Sequence, residues 1–102
     1  MEKLQLSYPS AEQLPKEVQI QVGVVSSGDL EVLFESSHTV DQLVVEIVSS
    51  TDNSSGRWKA LWDRLSNLDS LPAGFMQIHD FGATPGVARL RIEQVLEKAR
   101  HE

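Results

Sequence analysis

Val18-Gln19-Ile20-Gln21-Val22-Gly23-Val24-Val25-Ser26-Ser27-Gly28-Asp29-Leu30-Glu31-Val32-Leu33-Phe34-Glu35 consists of two alternating runs separated by a turn. Successive side chains of an extended chain point to opposite faces, so Val18, Ile20, Val22 and Val24 share one side, with Gln19, Gln21 and Gly23 on the other. The alternation resumes after the turn, where Leu30, Val32 and Phe34 oppose Glu31, Leu33 and Glu35. Two β-runs joined by a short segment containing Gly28-Asp29 predict a hairpin.

Outward from that hairpin the first half of the chain keeps the period of two. Leu4, Leu6 and Tyr8 alternate with polar neighbours until Pro9-Ser10 stops the run, and Gln13 to Lys16, containing Pro15, is expected to be a loop. Leu43, Val45 and Ile47 mark a further strand, which ends in the turn-forming stretch Ser49 to Gly56. The second half changes period. Trp58, Leu61, Trp62, Leu65 and Leu68 recur at i, i+3, i+4, i+7 and i+10, the apolar stripe of an amphipathic helix.

Pro72 and Gly74 are expected to terminate that helix, and Phe75 to Asp80 is strand-sized. In Thr84-Pro85-Gly86 a hydroxyl that can cap is followed by a proline with no N–H to leave unpaired, which predicts a helix start. Ala88, Ile92, Val95, Leu96 and Ala99 form the apolar face of this last helix. The expected architecture is a two-layer α+β fold. One mostly antiparallel sheet of about five strands carries two helices on one face, which buries every apolar stripe.

The chain has 102 residues, read as a single domain over 1–102. Hydrophobic residues make up 40% and charged residues 24%, a globular balance. No apolar stretch is long enough to cross a bilayer, and the N-terminus lacks the apolar block of a secretory signal. The absence of cysteine removes disulfides, thiolate metal sites and a cysteine nucleophile together, and fits a cytoplasmic protein. The net charge of −6 would repel phosphates, so nucleic acid is not an expected partner. A basic protein surface suits it better, although many soluble proteins are acidic simply to stay dispersed.

Several segments could carry chemistry. Ser27 at a hairpin tip would be accessible to a modifying enzyme, with Gly28 leaving room for an approaching group and Asp29 supporting the turn. By composition alone the plain turn is the preferred reading, since Ser, Gly and Asp are the residues that make any turn. Asp80-Phe81-Gly82 matches a magnesium-binding signature of kinases, but the chain has no room for a kinase and lacks its other motifs. What remains there is a Gly-rich, N-capped helix start of the kind that favours an anion, although by itself the segment reads first as an ordinary strand-to-helix turn. His38, His79 and His101 show no metal-ligand spacing. A hydrolytic triad of Ser27, His79 and Asp80 lacks a nucleophile elbow, and adjacent His and Asp in a strand face opposite ways. The two tryptophans read as core, and Arg89 and Arg91 as a solvated helix face. No catalytic constellation and no metal site are expected.

The segments Val22 to Leu33 and Ile78 to Val95, with Arg57-Trp58 and Leu71-Pro72-Ala73-Gly74 between them, resemble the acyl-carrier (delta) subunit family of malonate decarboxylase. The common acyl carriers differ, being four-helix bundles with an Asp-Ser-Leu motif that is absent here. The citrate lyase acyl carrier is a more distant likeness, with Ser-Ser-Asp in place of Ser27-Gly28-Asp29. The malonate decarboxylase resemblance implies a single acyl-carrier domain that is not itself an enzyme. It implies that Ser27 is joined by a phosphodiester to 2'-(5''-triphosphoribosyl)-3'-dephospho-CoA. The family usually has Gly where this chain has Ser26, so two hydroxyls stand side by side.

The resemblance further implies that the thiol of this group holds an acetyl thioester. Partner subunits, an acyl transferase and a decarboxylase, exchange acetyl for malonyl and release CO2, while a holo-protein-forming transferase installs the group. The rival readings are a citrate lyase-type carrier and an unmodified β-rich interaction module.

Overall fold

The computed structural model describes residues 2–9, 12–22, 30–50, 54–68 and 70–101. Five strands and two helices follow one another as β1 (Glu2–Pro9), β2 (Gln19–Val22), β3 (Leu30–Ser36), β4 (Gln42–Ser49), α1 (Ser55–Leu68), β5 (Gly74–Asp80) and α2 (Pro85–His101). The order along the chain is the expected one: four strands, helix, strand, helix. The strands form one sheet in the order β1-β4-β5-β3-β2. Three of its four pairings are antiparallel, and β4 with β5 is parallel.

The parallel pair has a physical cause. A parallel partner cannot be reached by a tight turn and needs a crossover of a dozen or more residues, which α1 supplies between β4 and β5. That crossover inserts β5 between β3 and β4, in the middle of the sheet. Position along the chain gave no sign of this, because strand order is set by which faces can be buried together.

The alternation settles which side of the sheet faces the helices. Leu30, Val32 and Phe34 of β3, Leu43, Val45 and Ile47 of β4, and Met76 and Ile78 of β5 are all buried. Leu4, Leu6 and Tyr8 of β1 pack against the same core from the edge. The helices complete it with Trp58, Trp62 and Leu65 from α1 and Ala88, Ile92, Val95, Leu96 and Ala99 from α2. Leu61 is partly buried against the same cluster. The α1 helix lies against β1 and α2 against β2 and β3, so both helices cover one face of the sheet.

Two details differ from the sequence expectation. The stretch Gln13 to Lys16 is a loop, yet its Leu14 is a core residue. Glu12 bridges Pro72, with Ala73 N–H donating to the Glu12 carbonyl at 2.9 Å, and this draws the loop onto the sheet. Gly74 does not stop the helix but opens β5. A Cβ there would sit 2.2 Å from the Glu35 carbonyl oxygen, so glycine permits the close approach of β3.

At the β1 edge Tyr8 stacks on Trp62 with ring centroids 6.2 Å apart. The Tyr8 hydroxyl donates to Asp63 at 2.8 Å, and Lys59 donates to the other oxygen of that carboxylate at 2.9 Å. Burial holds the Tyr8 proton well past the ordinary phenol range, reinforced by the hydrogen bond to Asp63 and its charge. The Asp63 carboxyl is held low, first by Lys59 and then by Tyr8.

Candidate functional site

The strand register brings Val22 and Leu30, the described residues on either side of Ser27, to one end of the sheet. Leu30 begins β3 opposite Asp80, the last residue of β5, and Asp80 stands beside Ser49, the last residue of β4. Val22 ends β2 on the same side, paired with Val32. Ser26, Ser27, Gly28 and Asp29 lie outside the described residues. Both helices also begin here, because α1 and α2 each follow a strand that ends here.

Asp80 organises this end. Its carboxylate is buried and accepts three hydrogen bonds: from Ser49 Oγ at 3.0 Å, Gly82 N–H at 2.9 Å and Ala83 N–H at 3.0 Å. Its carbonyl accepts Ser50 N–H at 2.9 Å. A buried carboxylate costs much desolvation unless its lone pairs are filled, and here neighbouring donors fill them. The Asp80-Phe81-Gly82 motif is thus the strand-to-helix turn its composition suggested, and through Ser49 it also ties β4 to the start of α2. The signal was an acidic residue two positions before a glycine, the spacing of a side chain that folds back on its own backbone.

The start of α2 is capped as the sequence indicated. Thr84 Oγ1 accepts Val87 N–H at 3.3 Å, its carbonyl accepts Ala88 N–H at 2.9 Å, and Pro85 is the first helical residue. At α1, Ser54 donates from its backbone N–H and its hydroxyl to Glu2 Oε1 at 2.7 and 3.0 Å, fastening that helix start to β1. Arg57 is exposed in the first turn of α1. With Trp58, Leu61, Asp80, Ala83, Pro85 and Ala88 it lines a recess of about 30 Å³. That space suits a water molecule or two rather than a substrate.

His79 and Asp80 point to opposite faces, as their adjacency in a strand requires. His79 Nδ1 is 3.3 Å from Glu31 on the uncovered face, whereas Asp80 faces the core side. His38 Nε2 donates to the Leu14 carbonyl at 2.7 Å, and His101 is exposed in the last turn of α2. Arg89 pairs with Glu93 one turn on at 2.7 Å, a helix-surface ion pair. No three His, Cys, Asp or Glu side chains among the described residues gather in a metal-binding group. No helix among them is long and apolar enough to cross a membrane.

The family model for the malonate decarboxylase delta subunit (MdcD) matches residues 17–99. The chain belongs to this family. The match spans both the 22–33 segment and the Asp80 turn with the start of α2. Among curated delta-subunit relatives, the malonate decarboxylase acyl carrier protein of Klebsiella pneumoniae is 52% identical over 101 residues, 99% of each chain. That of Pseudomonas putida strain GB-1 is 47% identical over the whole of both chains. The fold of the family is also seen in a crystal structure of a Pseudomonas malonate decarboxylase hetero-tetramer in complex with malonate. One of its chains superposes with a TM-score of 0.84 at 41% identity, covering 97% of this chain and 99% of that one.

Proposed function

We propose that this chain is the non-catalytic acyl carrier of a malonate decarboxylase, working in the cytoplasm, and that Ser27 is its attachment residue. The observation that carries the reading is the family match over residues 17–99, a span that contains the Ser27-Gly28-Asp29 motif. The proposed prosthetic group is 2'-(5''-triphosphoribosyl)-3'-dephospho-CoA, linked through a phosphodiester to the Ser27 hydroxyl. When bound, it supplies a thiol whose thioester makes loss of CO2 from malonate feasible, since the carbanion left behind delocalises as an enolate. The chain has no cysteine to supply that sulfur itself.

The surroundings suit such a group. Its phosphates are anionic, and Val22 and Leu30, the described residues on either side of Ser27, lie at the sheet end where α1 and α2 both begin and where Arg57 is exposed. Helix starts carry partial positive charge, so this end is electrostatically hospitable to phosphate. Gly28 would leave the backbone open to the modifying transferase, and Asp29 would support the turn. The sheet and its two helices act as the rigid base of a tether, which raises the thiol's effective concentration at each partner active site. Proton transfer and oxyanion stabilisation then fall to the acyl transferase and decarboxylase subunits.

Intact mass after incubation with the holo-protein-forming transferase tests this. Ser27→Ala should abolish the mass increase, while Ser26→Ala leaves most of it. The opposite pattern moves the site to Ser26. A wild-type chain that gains no mass fits the unmodified interaction module instead.

A further inference from the structure

The face of the sheet turned away from α1 and α2 has no helix or strand packed on it among the described residues. It is not an ordinary polar surface. Phe75 is 45% exposed at its centre, beside Val44 on one side and Glu35 on the other. Leu33, one strand over and opposite Gln77, joins Phe75, Glu35 and Gln77 in lining a shallow depression. Val48 adds a second apolar patch near His79 and Phe81. Exposed apolar surface rimmed by polar groups is characteristic of a protein contact.

Charge selects the occupant. Glu31, Glu35 and Glu46 stand on this face, against Lys3 as its full cation. Glu35 and Glu31 accept hydrogen bonds from the neutral amides of Gln19 and Gln21, and Glu31 also stands 3.3 Å from His79 Nδ1, which leaves Glu35 and Glu46 as the carboxylates of this face without a cationic partner among the described residues. A second copy of this chain would set the same carboxylates against each other, and phosphate-bearing surfaces would be repelled. A protein with an apolar centre and a rim of Lys and Arg fits both features.

The Glu31–His79 row also adjoins Leu30, the first described residue after Ser27. A subunit seated here would therefore lie beside the proposed attachment segment. We infer that the open sheet face, centred on Leu33 and Phe75, is the docking surface for a partner subunit of the decarboxylase whose facing patch is apolar at its centre and basic at its rim. The identity of that partner rests on the carrier reading above.

The test uses the remaining subunits of a malonate decarboxylase, purified without the carrier and immobilised, with the full-length chain titrated over them at several salt concentrations. Phe75→Ala should weaken binding about tenfold or more, as truncating a central aromatic anchor commonly does. Phe75→Glu should weaken it further, and Glu46→Lys should flatten the salt dependence. Leu90→Ala, at a site 53% exposed on α2, serves as the control and should leave binding unchanged. Circular dichroism establishes that each variant is folded, and Phe75→Ala stands in if Phe75→Glu does not fold. Wild-type affinity in both Phe75 variants, or an equal loss in the Leu90 variant, overturns the assignment. Mass increase by the transferase is measured in parallel. Normal modification with unchanged docking sinks the docking surface alone, whereas a chain that is never modified sinks the carrier reading whatever Phe75 does.

Discussion

The two faces of the sheet are built from the same strands and differ in what alternate residues face. On the covered side β3, β4 and β5 present Leu30, Val32, Phe34, Leu43, Val45, Ile47, Met76 and Ile78, with Ser36, Ser49 and Asp80 as buried polar exceptions. Ser36 and Asp80 hold loops to the sheet. Ser36 Oγ accepts Val18 N–H at 2.7 Å, and Asp80 gathers the β5–α2 turn. On the open side the same strands present Leu33, Val44, Val48 and Phe75 among carboxylates and amides. The difference teaches that polarity on the covered face serves the fold, while the apolar groups of the open face have no helix packed over them among the described residues.

The largest effect should come from the covered face. Trp62 is fully buried and stacked on Tyr8, so Trp62→Ala should cost about 3–5 kcal/mol in chemical denaturation, a large share of a small domain's stability. Trp62 Nε1 has no hydrogen-bond acceptor among the described residues, so Trp62→Phe should cost much less. A loss of partner binding with unchanged stability would place Trp62 in a contact surface instead.

Asp80 comes next. Asp80→Ala removes the acceptor for Ser49 Oγ and two backbone N–H groups, and should cost about 1.5–3 kcal/mol, the usual worth of hydrogen bonds to a charged group. An unchanged melting temperature would show the carboxylate to be dispensable to the fold, leaving a direct part in function as the reason for its burial.

At the margin between the faces, Tyr8 offers a spectroscopic test, since it is the chain's single tyrosine. Its folded pKa is raised, so its contribution to stability is complete below the ordinary phenol value of about 10 and is lost as pH climbs past it. Absorbance of the tyrosinate should therefore lag that of free tyrosine in an alkaline titration. Asp63→Asn should recover part of the lag but not all, because burial is the larger cause. A midpoint near 10 in the folded wild-type chain would show the ring to be solvated.

The smallest effect on folding belongs to the open face. Phe75→Ala should change stability by no more than about 0.5 kcal/mol, the range of ordinary surface substitutions. A cost of several kcal/mol would erase the distinction between the two faces and make Phe75 part of the fold.

What the sequence determined by itself is local. Strands and helices follow from the spacing of apolar residues along the chain, which is why β3 from Leu30 to Phe34, the Trp58–Trp62–Leu65 stripe of α1 and the Thr84-Pro85 start of α2 were all legible. The proposal of Ser27 as attachment residue rests only on family resemblance, since a serine, a glycine and an aspartate make any turn. Only the tertiary structure decided that β5 lies between β3 and β4, parallel to β4, that Leu14 reaches the core, and that Gly74 is needed where β3 passes. It also decided that Asp80 is buried and that Phe75 is left uncovered. These depend on contacts between residues far apart in sequence, and alternation says that a strand has two faces without saying which neighbour, if any, will cover each one.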